Sequence, residues 1–218
     1  SYGQVEAENW NTPKLIGKRY NAPVYYRGPL YLHTDSEWSN GTVYLSNGDS
    51  VANLFLKYNR LQDELIYYNQ KNATSITLDK KQVSGFVLSV GLQRVHFKKI
   101  SHTRSSTRSG YYEVLYKGNT NVLARRGSEL KICPSYMSNS GIKKDRQYVI
   151  SDRYLIAGKE NELLPIRLKR KSLLLKFGED KKKEVSRIIR RNNLSMKDEV
   201  SLIKAWKVLE AEGLKVVF

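Results

Sequence analysis

Apolar and polar positions alternate through the middle of this chain, and the period changes near its end. From residue 41 to about residue 168, short β-branched and aromatic runs recur, each bounded by Gly, Asn, Asp or Ser. The runs are "GTVYLSNGDSVANLFLKYN", "ELIYYNQ", "ATSITLDKKQVSGFVLSV", "LQRVHFKKI", "GYYEVLYKGNTNVLARRG", "SELKI" and "RQYVISDRYLIAGKENELLPIRL". Asn47-Gly48 predicts a hairpin with a type I′ turn, in which both central residues take positive φ. "YKGNTN" and "AGKENE" predict two further hairpin turns. In "GYYEVLYKG", Tyr112, Val114 and Tyr116 share one face and Tyr111, Glu113 and Leu115 the other. Both faces carry apolar groups, which predicts cover on both sides. The spacing predicts an antiparallel β-meander, built as a sandwich or a partly open barrel.

The ends read differently. Pro13, Pro23 and Pro29 oppose helix in residues 1–40, which predicts an extended N-terminal arm with one or two short strands. After residue 168 the period becomes helical. "KSLLLKFG" predicts a short helix stopped by Gly178. Glu179 and Asp180 are placed to open a second helix, at the positive end of its dipole. That helix ends at Asn192-Asn193. Ser195 is the expected cap of a last helix, with Asp198 completing a capping box and Gly213 ending it. The predicted fold class is therefore α+β, an antiparallel meander followed by a C-terminal helical hairpin. Three segments follow: the arm (1–40), the β domain (41–168) and a basic helical segment (169–218).

Placing the second helix at 100° per residue puts Val185, Ile188 and Ile189 within about 100° of one another. They form its dry stripe. Lys183, Arg187 and Arg190 fall on the opposite side. Val200, Leu202, Ile203, Trp206 and Leu209 are the expected apolar surface of the last helix, with Trp206 in the core.

Charge sharpens this picture. Of 218 residues, 38 are Lys or Arg and 21 are Asp or Glu, a formal charge of +17. Such a balance favours anionic partners: nucleic acid, an anionic membrane surface, acidic glycans or an acidic protein subunit. Residues 166–218 hold 15 cations against 7 acids, about three times the positive density of the rest. Six of those cations fall within residues 181–191. Lys183, Arg187, Arg190 and Arg191 are the candidate contact for an anion or an acidic partner. The plain alternative is a solvated face of a docked helix. A membrane-surface role is disfavoured, because the apolar stripe is narrow and lacks Trp or Phe. No run of 18 apolar residues spans a membrane.

Chemistry is sparse. His33, His96 and His102 are the histidines. On a strand, His96 and His102 would share a face about 20 Å apart, too far for one metal. Asp63-Glu64 and Asp198-Glu199 have local explanations, a turn and a helix start. Cys133 lies in an apolar run and is expected to be a buried, inert thiol. "HTRSSTRSG" (102–110) offers hydroxyls and guanidiniums to an anion, or is a plain hairpin connection. No nucleotide, zinc-protease or nucleophile-elbow motif occurs, so the expectation is a non-enzymatic protein without metal or cofactor. A triad assembled through space stays open.

Three blocks occur in order: "GTVYLSNGDSVANLFLKYNRLQDELIYY", "GYYEVLYKGNTNVLARR" and "LLLKFGEDKKKEVSRIIRRNNLSMKDEVSLIKAW". In this they resemble uncharacterised secreted proteins of Bacteroidota, over residues 41–212. The resemblance implies a protein made with a signal peptide and acting in the periplasm or at the cell surface, with the cytoplasm as the alternative. It carries no catalytic residues. Together with the absent catalytic motifs, the fifteen tyrosines and the basic surface, this makes a binding role the expectation, as an accessory subunit of an outer-membrane or secretion-related assembly. The chain begins "SYGQ" without Met, as a processed product would; a chain trimmed for any other reason would begin the same way. "DSV" resembles the O-glycosylation signal of that phylum, which makes Ser50 a candidate modified residue. The competing expectation is nucleic-acid binding through the basic helix.

Overall fold

A computed structural model describes residues 2–4, 14–32, 37–101, 109–138, 141–158 and 162–218. The class is α+β, antiparallel strands followed by helices, as the period change predicts. Every strand pair with a described register is antiparallel, and one isolated parallel bridge joins Arg27 and Gln147. The chain forms two compact units, and their limits differ from the sequence boundaries at 40 and 168.

The first unit comprises residues 1–100, 110–112 and 126–152. Its strands are β1 (Tyr2–Gln4), β2 (Ile16–Arg19), β3 (Ser39–Leu45), β4 (Ser50–Asn59), β5 (Glu64–Asn69), β6 (Thr74–Leu78), β7 (Val83–Val90), β8 (Gln93–Ile100), and the first residues of β9 (Gly110–Tyr116). The order is β1-β2-β6-β5-β4-β3-β7-β8-β9. The N-terminal arm is thus part of the sheet, with β2 paired to β6. Leu30 and Leu32 are buried, and Leu32 N donates to Tyr58 O (2.9 Å).

This order breaks a simple meander. β6 and β7 lie four strand positions apart, roughly 19 Å in a flat sheet, yet only residues 79–82 join them. That link is itself a tight turn, with Gln82 N on Asp79 O (3.0 Å). The sheet must therefore roll. The same holds from β4 to β9, again four positions apart. There the Asp63 carboxylate, just after β4, accepts from Tyr111 N at 3.2 Å. A rolled single sheet is the geometry of a partly open barrel rather than of two facing layers. Its interior is filled by Leu54, Leu56, Tyr58, Phe86, Phe97 and Tyr111 among others. Phe86 and Phe97 stack at 4.5 Å, and Tyr111 meets Phe86 edge-on at 5.1 Å.

Two carboxylates hold the roll, the buried Asp63 and the largely covered Asp152. Asp63 accepts from Tyr58 Oη (2.7 Å) and Lys80 Nζ (2.9 Å) besides Tyr111 N. It sits in the expected turn, with positive φ (55°), but its carboxylate also bonds far along the chain, to Lys80 and Tyr111. Asp152 accepts from Arg60 Nη2 (2.5 Å), Arg126 Nη1 (2.8 Å) and Gly127 N (3.0 Å). This cluster sits at the root of a separate two-stranded ribbon, β11 (Ser128–Ser138) and β12 (Gly141–Ile150).

Other local expectations change. At Asn47-Gly48 only Gly48 takes positive φ (95°). Gly48 N donates to Leu45 O (3.1 Å), so the hairpin uses a three-residue loop with glycine last rather than a type I′ turn. Cys133 is half-buried rather than buried, because it lies on the ribbon, a separate two-stranded sheet, and not in the rolled one.

The second unit comprises residues 101–109, 113–125 and 153–218. It contains the end of β9, β10 (Asn121–Arg125), β13 (Arg153–Ala157), β14 (Leu163–Ile166), and helices α1 (Arg170–Leu174), α2 (Lys182–Arg191) and α3 (Glu199–Ala211). Both predicted hairpins form: β9 pairs β10, and β13 pairs β14. Residues 159–161 of the second turn lie outside the described residues. The helices do not stand apart, because Val122, Ile156 and Ile166 share one core with Leu173, Phe177, Val185, Trp206 and Leu209.

Asp63 and Glu64 are adjacent, but only Asp63 closes the roll; Glu64 pairs with the exposed Lys18 (3.3 Å). Asp63→Ala should lower the unfolding free energy by about 2–4 kcal/mol, since it strands buried donors. Glu64→Ala should cost less than about 1 kcal/mol. Urea titration of both variants measures the difference, and equal losses would refute the assignment.

Candidate functional site

The helix α2 forms because its apolar residues fall on one stripe. Val185, Ile188 and Ile189 are buried. The acid of its first turn is Glu184, not Glu179 or Asp180, since the helix starts at Lys182. Those two acids precede it, and Glu179 instead pairs with Lys182. Asn193 takes positive φ (46°) just past the end, as the Asn-Asn pair predicts.

α3 packs on the same core. Its cap is Asp198, with Ser201 as the third helical residue, and not Ser195 with Asp198. Asp198 Oδ1 accepts from Ser201 N (2.7 Å), which holds its carboxyl below the usual range. Met196 is buried, so the chain stays extended through Ser195 before turning into the helix. Val200 is 76% exposed, because the first turn of α3 overhangs the core. Trp206 is fully buried and meets Phe177 at 5.4 Å.

A carboxylate joins α3 to the β9–β10 turn. Glu210 accepts from Thr120 Oγ1 (2.7 Å), Thr120 N (2.9 Å), Tyr116 Oη (3.0 Å) and Asn119 N (3.3 Å). Trp206 Nε1 donates to the same Thr120 hydroxyl (3.1 Å). Partial burial pushes the Glu210 carboxyl up, but these donors outweigh it and hold it below its ordinary 4.5. Nothing in the sequence pattern marks Glu210, whose donors come from a turn about ninety residues away.

These contacts leave the outer face of α2 to solvent. Lys182, Lys183, Ser186, Arg187, Arg190 and Arg191 line an open hollow of about 660 Å³ along it. Lys181 pairs with Glu184 (2.9 Å), Lys182 with Glu179, and Arg191 with Glu212. Lys183, Arg187 and Arg190 are exposed and make no ion pair among the described residues. Of the four candidate cations, three are thus brought together uncompensated and Arg191 is engaged. Arg170 joins them from α1, its Nη2 donating to Ser186 O (3.3 Å). The sequence signal for it was the run Lys169-Arg170-Lys171. Every lining side chain offers a donor, five of them cationic and Ser186 through its hydroxyl, so the hollow suits an anion. It is too open to enclose a small substrate.

The remaining candidates are scattered. His96 is exposed on β8, while His33, His102 and loop residues 102–108 lie outside the described residues. Ser50 is exposed at the start of β4, just past the turn. Among the described residues, no group of three His, Cys, Asp or Glu is placed to hold a metal ion. No described helix is long and apolar enough to cross a membrane. Comparison with protein families, with curated proteins and with solved structures finds no match to this chain.

The Glu210 carboxyl is depressed in the folded state, so its contribution is present above about pH 4.5 and fades as pH falls through the folded value. Glu210→Gln should lower stability at pH 7 by about 1–2 kcal/mol. The gap to the parent protein should narrow at pH 3 or so. Thermal melts at the two pH values check this, and a gap independent of pH would count against it.

Proposed function

We propose that this chain is a non-enzymatic binding protein of the bacterial envelope, periplasmic or cell-surface, that receives an acidic partner on the outer face of α2. In this reading it is an accessory subunit of an outer-membrane or secretion-related assembly. The observation that carries the binding role is the trio Lys183, Arg187 and Arg190, exposed and uncompensated on a helix whose other face is buried. Desolvated salt bridges inside the chain would have consumed these charges; here they remain available to a partner. The envelope location rests on the three ordered sequence blocks. The partner is an acidic protein surface, with an acidic glycan or an anionic lipid surface as alternatives of the same charge.

Arg187→Glu with Arg190→Glu should abolish co-purification of partners from native membranes. Both sites are exposed, so stability should change by less than about 0.5 kcal/mol. Retained partners would remove α2 from the interface. Fractionation of cells tests the location, and recovery from cytosol alone would sink it.

Nucleic acid is the second reading, favoured by the absence of apolar residues from the lining of the hollow. Phosphate contacts need only charge, and they make affinity fall steeply with salt. If this reading holds, the double reversal should flatten the log–log salt slope for duplex DNA by roughly 2. No binding at low salt would exclude it.

A further inference from the structure

The β11–β12 ribbon ends the first unit in an unusual way. Among the described residues β11 pairs with β12 alone, so the far edge of β11 presents backbone donors and acceptors without a strand partner. Such an edge is a template for another strand. Near its root the ribbon also carries exposed apolar side chains: Leu130 (41%) and Ile132 (69%) on β11 and Ile150 (61%) on β12. Ser128 lies opposite Ile150, Leu130 opposite Tyr148 and Ile132 opposite Arg146. Cross-strand partners share a face, so Leu130, Ile132 and Ile150 all lie on one side of the ribbon.

We propose that this edge pairs antiparallel with the same edge of a second copy of the chain, about a two-fold axis through Leu130. The charge pattern selects that register. Glu129 and Lys131 flank Leu130 on the opposite face, both about half exposed and 3.1 Å apart. With the axis at residue 130, Glu129 of each copy lies opposite Lys131 of the other. An axis at 129 sets Glu against Glu, and one at 131 sets Lys against Lys. Like charges directly opposite destabilise a strand pair. An axis at 132 brings Pro134, which has no N–H, into the ladder opposite Leu130. The favoured register keeps pairing within residues 128–132 and stops short of that proline. It also sets Leu130 beside its own copy and Ile132 opposite Ser128, so the two apolar patches become continuous. The ribbon root is held by the Arg60–Asp152–Arg126 cluster, which presents the edge in one orientation. This inference is independent of the role proposed for α2.

Size-exclusion chromatography with light scattering tests it, on the whole chain at about 0.15 M salt, where the overall positive charge is screened. A concentration-dependent dimer is expected. Glu129→Lys and Lys131→Glu should each weaken it roughly tenfold, because each sets like charges opposite. The double variant should restore it, since the pattern is merely exchanged. A chain that stays monomeric into the high micromolar range would overturn the proposal. So would a dimer indifferent to the single changes, or one that the double change fails to restore.

Discussion

The dry stripe of α2 is the constraint on which the functional surface depends. Val185, Ile188 and Ile189 have no other place to go than the core shared with Phe177, Trp206 and Leu209. Once they are buried, the helix cannot rotate, and Lys183, Arg187 and Arg190 must face water. The core in turn needs α3 in place. That helix is anchored by apolar packing of Trp206 and by the Glu210 carboxylate on the β9–β10 turn. A hydrogen-bonded carboxylate and an indole sharing one threonine hydroxyl thus sit behind a surface of opposite charge.

The first unit rests on a different kind of constraint. A sheet that rolls brings distant strands together, and it needs groups that bond across the closure. Asp63 and Asp152 supply them. Each is surrounded by donors, which offsets the desolvation that a buried carboxylate would otherwise suffer. The ribbon departs from this scheme: it is a separate two-stranded sheet rooted at the Asp152 cluster, and among the described residues one of its edges has no strand partner.

Much of the local structure was legible in the residues. The strand runs, both later hairpins, the buried stripe of α2, the core position of Trp206 and the stops at Asn193 and Gly213 follow from periodicity and turn chemistry, whereas the first helix ends at Leu174 with Leu175 as its cap, short of Gly178. The misread details share a cause. Asn47-Gly48, Ser195 and Val200 were judged by short-range preference, and longer-range packing decided otherwise. Burial of Met196 moved the cap to Asp198, Cys133 fell on the two-stranded ribbon and is half-buried there, and Val200 fell on the exposed first turn of α3. In the candidate site, the exposed trio was visible from angular position alone. The loss of Arg191 to Glu212 and the approach of Arg170 were not, because neither partner lies on the same helix.

The sequence alone determined which elements form, which faces are apolar, and that positive charge concentrates between residues 166 and 191. These are properties of neighbouring residues, set by the periods of helix and strand. Tertiary structure alone decided that the sheet rolls, that Asp63 and Glu210 hold distant segments, and which cations stay unpaired. Each depends on groups far apart in the chain, whose meeting is set by total core burial and by the need of buried carboxylates for donors.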